Sequence, residues 1–258
     1  MSAAEAVAPR LMVEVWEDLV CPWCYLGRRR LAAAVQAFEH PPAVTVRSRA
    51  FELAPRMPRG AGRSVADWLT GWGISTEQVD AKLRGAARAA EADGLQFDMA
   101  RAVAANTFDG HRLVELGWRT GGAPLQSAVA ERLYSAHFCE GVAVDDPEVL
   151  VRLGSEAGLE PAVIPGFLAG DDLADAVRRA EDVAAQLGIS AVPCFVTDRR
   201  LALQGADTTD RLLALLRRAY HEALVDIPVA GGVGLAPATP AARTPAVPVG
   251  PANTAGLG

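Results

Sequence analysis

The sequence predicts an α/β fold in which both ends of the chain build one sheet and a large helical domain is inserted in the middle. Three observations predict it. A β-α-β pattern opens the chain over residues 11–51, and a β-β-α pattern closes it over residues 194–224. Between them, residues 64–188 are punctuated almost throughout by helix start and stop signals. A parallel strand pair needs a crossover and an antiparallel pair needs only a tight turn, so the two end units can share a sheet.

Each element has its own signal. Residues 11–16 are apolar and Val-rich with one Glu, which reads as a buried strand. Cys21-Pro-Trp-Cys24 leads into a helix to about Phe38, with Leu31, Val35 and Phe38 at helical spacing. Pro22 suits the first helical position, where a missing N–H costs nothing. Residues 44–51 alternate as a second strand, ended by Pro55 and Pro58. In the middle block, helices are expected after Ser64, from Thr76 to Gly94, from Asp98 over residues 99–105, and over residues 108–119. Further helices are expected from Pro124 to Phe138, from Asp146-Pro147 to Gly158, and from Asp171 or Asp172 to Gly188. Residues 194–197 and 201–204 read as strands around an Asp198-Arg199-Arg200 turn, and Thr208 caps a last helix whose inner stripe is Leu212, Leu215, Leu216 and Ala219.

This order is the thioredoxin plan with helices inserted. The expected boundaries are residues 11–55 and 189–224 for a discontinuous thioredoxin-like domain and 56–188 for the insert. Residues 225–258 read as a disordered tail, because Pro, Gly and Ala dominate and little apolar surface is there to offset ordering entropy.

Composition narrows the function. The chain has 258 residues, half of them hydrophobic, and a net charge of −6, which speaks against nucleic-acid binding by general basicity. Lys82 is the only lysine; every other basic residue is arginine. No apolar run reaches the ~18 residues of a membrane span, and the first ten residues hold Glu5 and no apolar signal core, so a cytoplasmic protein is expected. Four cysteines are too few for a disulfide scaffold and read as thiols, ligands or redox groups.

The chemistry rests on where the Cys-x-x-Cys stands. At the junction of a strand and a helix, Cys21 meets free N–H groups and the helix dipole, which favour the thiolate that attacks disulfides. Cys21 is expected to be the exposed attacking thiol and Cys24 the shielded one that resolves the mixed disulfide. Half of a zinc site is a competing reading, but Cys139 and Cys194 form no second pair and no His pair has ligand spacing. An inert core pair is the other. Far along the chain, Val192-Pro193 precedes the late strand. A cis bond there leaves the Val192 backbone free to pair with substrate; a trans proline opening a strand is the plain alternative.

These residues resemble the DsbA-like thioredoxin-fold oxidoreductases, and specifically their signal-less FrnE-like branch. The resemblance is carried by residues 18–27 (Asp-Leu-Val-Cys-Pro-Trp-Cys-Tyr-Leu-Gly), by 51–55, by Asn106-Thr107 with His111-Arg112-Leu113, by Gly141 with Asp146-Pro147, by 188–193, and by Gly205-Ala206. It spans about residues 11–220. It implies a disulfide oxidoreductase or isomerase with Cys21 and Cys24 catalytic, and Trp23, Val192 and Pro193 at the substrate. No metal or other cofactor is expected. The expected partners are protein or small-molecule thiols and disulfides, glutathione among them, with no nucleic acid and no membrane. Relatives on the same scaffold that act as glutathione-dependent isomerases or transferases, such as chromene-carboxylate isomerase and the kappa-class transferases, carry a serine where Cys21 stands. A peptide-binding module is the non-catalytic alternative.

Other positions carry weaker expectations. Cys194, where relatives more often show Phe or Thr, reads as a buried hydrophobe, and Cys139 as a bystander near a helix end. Arg28, Arg29 and Arg30 either add positive potential near Cys21 or form a solvated helix face, the second being the expectation. Asp18 is a candidate to bond or relay a proton near the thiols, or to cap the turn. Asn106, Thr107 and His111 either line a cleft or serve as cap and core. The uncharged Pro22-Trp23 dipeptide predicts a redox potential between those of DsbA (~−120 mV) and thioredoxin (~−270 mV).

Overall fold

The computed structural model describes residues 9–225. Strand β1 (Leu11–Glu17) is followed by α1 (Pro22–Ala37), a 3₁₀ turn over Pro41–Ala43, and β2 (Val44–Ala50). Helices α2 (Val65–Thr70), α3 (Thr76–Ala92), α4 (Phe108–Cys139), α5 (Pro147–Glu156), α6 (Ile164–Ala169) and α7 (Ala174–Gln186) come next. Strands β3 (Cys194–Thr197) and β4 (Leu201–Gln204) and helix α8 (Thr209–Val225) complete the described chain.

The sheet order is β2-β1-β3-β4. β1 runs parallel to β2 and antiparallel to β3, with Val13 opposite Val46 and Val15 opposite Phe195. The apolar character of β1 follows from its central place, where both faces are covered. On one face Leu11, Val13 and Val15 meet Leu31 and Ala34 of α1 and Leu212 and Leu216 of α8. On the other, Trp16 packs with Ala184 of α7 and donates its indole N–H to the Ala180 carbonyl at 2.9 Å. Asp198 and Arg199 take positive φ in the tight β3–β4 turn.

The helical block is pinned to this sheet by buried polar contacts. Gln126 of α4 accepts the Ser48 N–H at 2.9 Å and donates to its carbonyl at 3.2 Å. Arg112, also on α4 and fully buried, pairs with Asp109 at 2.8 Å and donates to the carbonyls of Phe167, Gly170 and Asp172. It thereby fixes the turn between α6 and α7. A stack of Tyr25, Tyr134, Phe97 and Phe138 joins α1 to α4, with Tyr25 and Tyr134 5.1 Å apart.

Several sequence expectations need correction. Residues 99–105 form no helix. Asp98 makes one turn with Arg101, and the chain then runs extended, bridging Val103 to Ser64 with Ala104 N–H on the Arg63 carbonyl. Pairing with a neighbouring segment overrode a cap signal. Helix α6 is not among the expected elements; Pro165 sits in its first turn, where a missing N–H costs nothing. Helix α7 starts after Leu173 in left-handed conformation, with no side-chain cap from Asp171 or Asp172. The two helices expected over 108–119 and from Pro124 to Phe138 are present as the two arms of α4, separated by a kink at Gly122 (φ 64°). The tail expected over 225–258 lies outside the described residues, apart from Val225 at the end of α8. Among the described residues no helix is long and apolar enough to cross a membrane.

Candidate active site

The site grows from the end of β1. The chain leaves the sheet at Glu17, turns at Asp18, and enters α1 with Cys21 as N-cap residue and Pro22 in the first turn. Cys21 donates its N–H to the Asp18 carbonyl at 3.0 Å, closing the turn. One helical turn later Cys24 receives the Asp18 N–H on its sulfur at 3.5 Å. Both cysteines are free thiols. Cys24 is wholly buried, and its pKa is pushed well up by burial and by neighbouring Cys21.

Cys21 is also buried, at 5% exposure, which corrects the expectation of an exposed thiol. Its sulfur lies 3.9 Å from the Val192 carbonyl oxygen. The Val192–Pro193 bond is cis. Residue 193 is held against α1 because residue 27 is glycine: a Cβ there would come within 2.9 Å of Pro193 and 3.0 Å of Phe195. The Pro193 carbonyl accepts the Gly205 N–H at 2.7 Å, which anchors the other side of the loop. The structure thus brings Cys21, Cys24, Val192 and Pro193 together. Trp23 stands beside them, 42% exposed, on the rim of an apolar cavity.

Beneath the dithiol lies a polar layer. Asp18 is fully buried; one carboxylate oxygen accepts the Leu53 N–H at 2.7 Å and the other faces His111 Nε2 at 3.5 Å. Burial pushes the His111 pKa down, but Asp18, with Glu52 and Glu17 beyond it, outweighs this and raises it overall. The Asp18 carbonyl also accepts the Tyr134 hydroxyl at 3.1 Å. Arg28 is not on a solvated face. It is buried and bonds Glu17 at 3.0 Å, Ser48 at 2.9 Å and Ser127 at 2.8 Å. Arg29 does lie outward, paired with Glu131, whereas Arg30 is half-buried, pairing with Asp93 at 2.6 Å and donating to the Ala206 carbonyl at 2.8 Å. His137 is buried close by; neither ring nitrogen has a hydrogen-bond partner among the described residues, and burial pushes its pKa down to about 4.

The remaining candidates fall away from the sulfurs. Asn106 caps the start of α4 by accepting the Phe108 N–H and donates to the Met57 carbonyl. Thr107 occupies the N-cap position of α4 without a side-chain bond. Cys194 is buried with its pKa pushed up to about 11, as a buried hydrophobe should be. Cys139 ends α4. Two roles escaped the sequence reading. Gly27 stood in the quoted motif, but its contact with Pro193 requires knowing that α1 and the loop meet. Buried Arg28 carries no local signal that separates it from Arg29 and Arg30.

Among the described residues, no three His, Cys, Asp or Glu side chains are grouped as metal ligands. The four-stranded sheet and the Cys-x-x-Cys at the start of α1 are those of a DsbA-like thioredoxin fold. The chain belongs to the DSBA-like thioredoxin domain family, whose sequence model matches residues 12–217. A probable DsbA oxidoreductase from Streptomyces coelicolor is similar at 36% identity and TM-score 0.77, over 83% of this chain and 91% of that one. A 2-hydroxychromene-2-carboxylate isomerase shares the fold at 22% identity and TM-score 0.58, over 83% of this chain and 99% of that one. So does the cytosolic disulfide reductase DsbM from Pseudomonas aeruginosa, solved with glutathione, at 22% identity and TM-score 0.57, over 81% and 99% of the two chains. No curated protein matches the chain.

Proposed function

We propose that the protein is a cytoplasmic dithiol–disulfide oxidoreductase or isomerase in which Cys21 attacks and Cys24 resolves. The observation that carries this is the graded burial of the pair. Cys21 borders the cavity, whereas Cys24 sits behind it with no exposure and a raised pKa. Cys21 thiolate attacks one sulfur of a substrate disulfide, and the other sulfur leaves as a thiolate and takes up a proton. The Asp18 N–H on the Cys24 sulfur supplies a donor for the charge that forms when Cys24 loses its proton to attack Cys21. Closure of the Cys21–Cys24 bond then expels the reduced substrate. Two equivalents of a small thiol reset the pair and leave joined as their disulfide. Val192, Pro193 and Trp23 are the substrate-contacting residues in this reading, and Asp18 and His111 position the dithiol from below.

The split of the chain into a discontinuous thioredoxin half, residues 11–55 and 189–224, and a helical half, 56–188, is part of the same reading. The first carries the thiols and the second roofs them. The buried resolving thiol speaks for this cycle over a glutathione transferase or isomerase, which needs no Cys24, and over a binding module, which needs neither thiol.

Timed alkylation of the reduced protein tests the assignment. Cys21, which borders the cavity, should be modified at least about tenfold faster than Cys24, because burial keeps the Cys24 thiol protonated and out of reach. Equal rates at the two positions would refute it. Equilibration in glutathione buffers should place the pair between thioredoxin and DsbA, poised to reduce or reshuffle disulfides.

A further inference from the structure

The dithiol opens on one side into a cavity of about 460 Å³, within the size range of small-molecule sites. Cys21, Pro22 and Trp23 form one wall, and Trp68, Leu83 and Met99 stand among the others. Every side chain that lines it is apolar except the Cys21 thiol and Lys82. That lysine is the only one in the sequence, and it has no ion-pair partner among the described residues; its neighbour Asp80 pairs with Arg84. Through Leu53, Met57 and Trp68 the cavity continues outward into a second hollow of about 470 Å³, walled by Trp72. The two tryptophan rings stand 4.9 Å apart. A larger groove of about 760 Å³ on the flank of α1 does not reach the sulfurs, and its charges are already paired, Arg29 with Glu131 and Arg30 with Asp93.

These features select a ligand class. Cys21 is 5% exposed, so a reacting sulfur must come down the cavity. A disulfide inside a folded protein is flanked by two backbones with Cα atoms only ~5.5–6 Å apart, too bulky to lead with sulfur into such a space. Glutathione brings two carboxylates and an ammonium, whereas the lining offers one cation and no carboxylate. Its remaining charges would be desolvated without partners, which is costly. A flat apolar molecule with one negative charge leaves nothing unpaired.

We propose that this cavity binds a small, flat, apolar disulfide carrying one carboxylate on the half that enters, with Lys82 as its counter-ion. The proposal rests on the reading of Cys21 as nucleophile. Cys21 thiolate attacks the inner sulfur, the S–S bond breaks, and the outer half leaves as a thiol after taking up a proton. Cys24 then displaces the bound half as a second thiol. Two electrons pass from the dithiol to the substrate, and a small thiol reductant returns them to the enzyme.

The test follows the reduced full-length protein with four disulfides: dithiobis-nitrobenzoate, whose halves are each a flat ring with one carboxylate, neutral dithiodipyridine, glutathione disulfide and a protein carrying scrambled disulfides. Each rate is divided by that of free dithiothreitol with the same probe, which removes intrinsic reactivity. The normalised rate for the nitrobenzoate probe should saturate and exceed that for glutathione disulfide by about tenfold, the worth of one well-placed aromatic contact and an ion pair. Lys82→Gln should lower the ratio of anionic to neutral probe about three- to fivefold, and Trp68→Ala should raise KM for both aromatic probes. Equal normalised rates, a preference for glutathione or protein disulfides, or an unchanged ratio in Lys82→Gln would overturn the proposal while leaving Cys21 as nucleophile. Full activity in Cys21→Ser would instead overturn the underlying reading, and the proposal with it.

Discussion

The two sides of the dithiol are built from opposite materials. Below it, Asp18, His111, Glu17 and Arg28 form a buried ionic layer joined to three elements, β1, α1 and α4. Above it, Trp23, Leu53, Trp68 and Met57 form an apolar mouth with one cation. Buried ions held by several partners tolerate little change, because removing one leaves another charge uncompensated. An apolar mouth holds its shape by contact alone and leaves Trp23 and Leu53 partly in solvent. In the proposed cycle the lower side holds the sulfurs in place, and the upper side selects what reaches them.

Substitutions should separate the two roles. The largest effect is expected for Asp18→Ala, which strips His111 of its counter-charge and the Leu53 N–H of its acceptor; a loss of about 3–5 kcal/mol in denaturant unfolding would mark the ionic layer as structural. A loss below about 1 kcal/mol would erase the contrast.

Next comes pH. His137 has a folded pKa of about 4 against an ordinary 6.5, so the unfolded chain binds the extra proton and stability is lost as pH falls from 6.5 toward 4, by up to roughly 3 kcal/mol. His111 has the opposite sign: its pKa is raised, so its contribution is full below 6.5 and is lost as pH rises through the folded value. His137→Leu should flatten the acid limb alone, and His111→Gln the alkaline limb alone, in thermal melts across pH.

Gly27→Val should follow at about 1–3 kcal/mol, the usual cost of overpacking, with a matching fall in activity as α1 and the Pro193 loop are pushed apart. The smallest stability change belongs to the mouth. Trp23→Ala, at a partly exposed position, should stay within about 0.5 kcal/mol of the parent and yet raise KM for aromatic disulfides.

Legibility in the sequence follows the same division. The β-α-β and β-β-α ends were readable because local patterns coincide with the sheet's demands: β1 is apolar because it is central, and Asp198-Arg199 turn because two short strands flank them. The placement of Cys21 and Cys24 at the start of α1 was readable because it depends on adjacency along the chain. The polar layer was only half readable. Asp18 lies three residues from Cys21, but His111 meets it across 93 residues, and nothing local aims one at the other. The mouth was least readable. Residues 99–105, expected as a helix, form a turn to Arg101 and then run extended through a bridge from Val103 to Ser64, and in that form Met99, Ala104 and Ala105 line the cavity. Cavities come from packing between distant segments, which a periodicity within one segment does not encode.

The division of labour between the two thiols is tested most directly by trapping. Cys24→Ser, reduced and then offered a disulfide substrate, should stall as a mixed disulfide, and peptide mapping should place one adduct per chain on Cys21, released by added thiol. An adduct on Cys139 or Cys194, or an equal yield of adduct on Cys24 in the Cys21→Ser protein, would contradict the account.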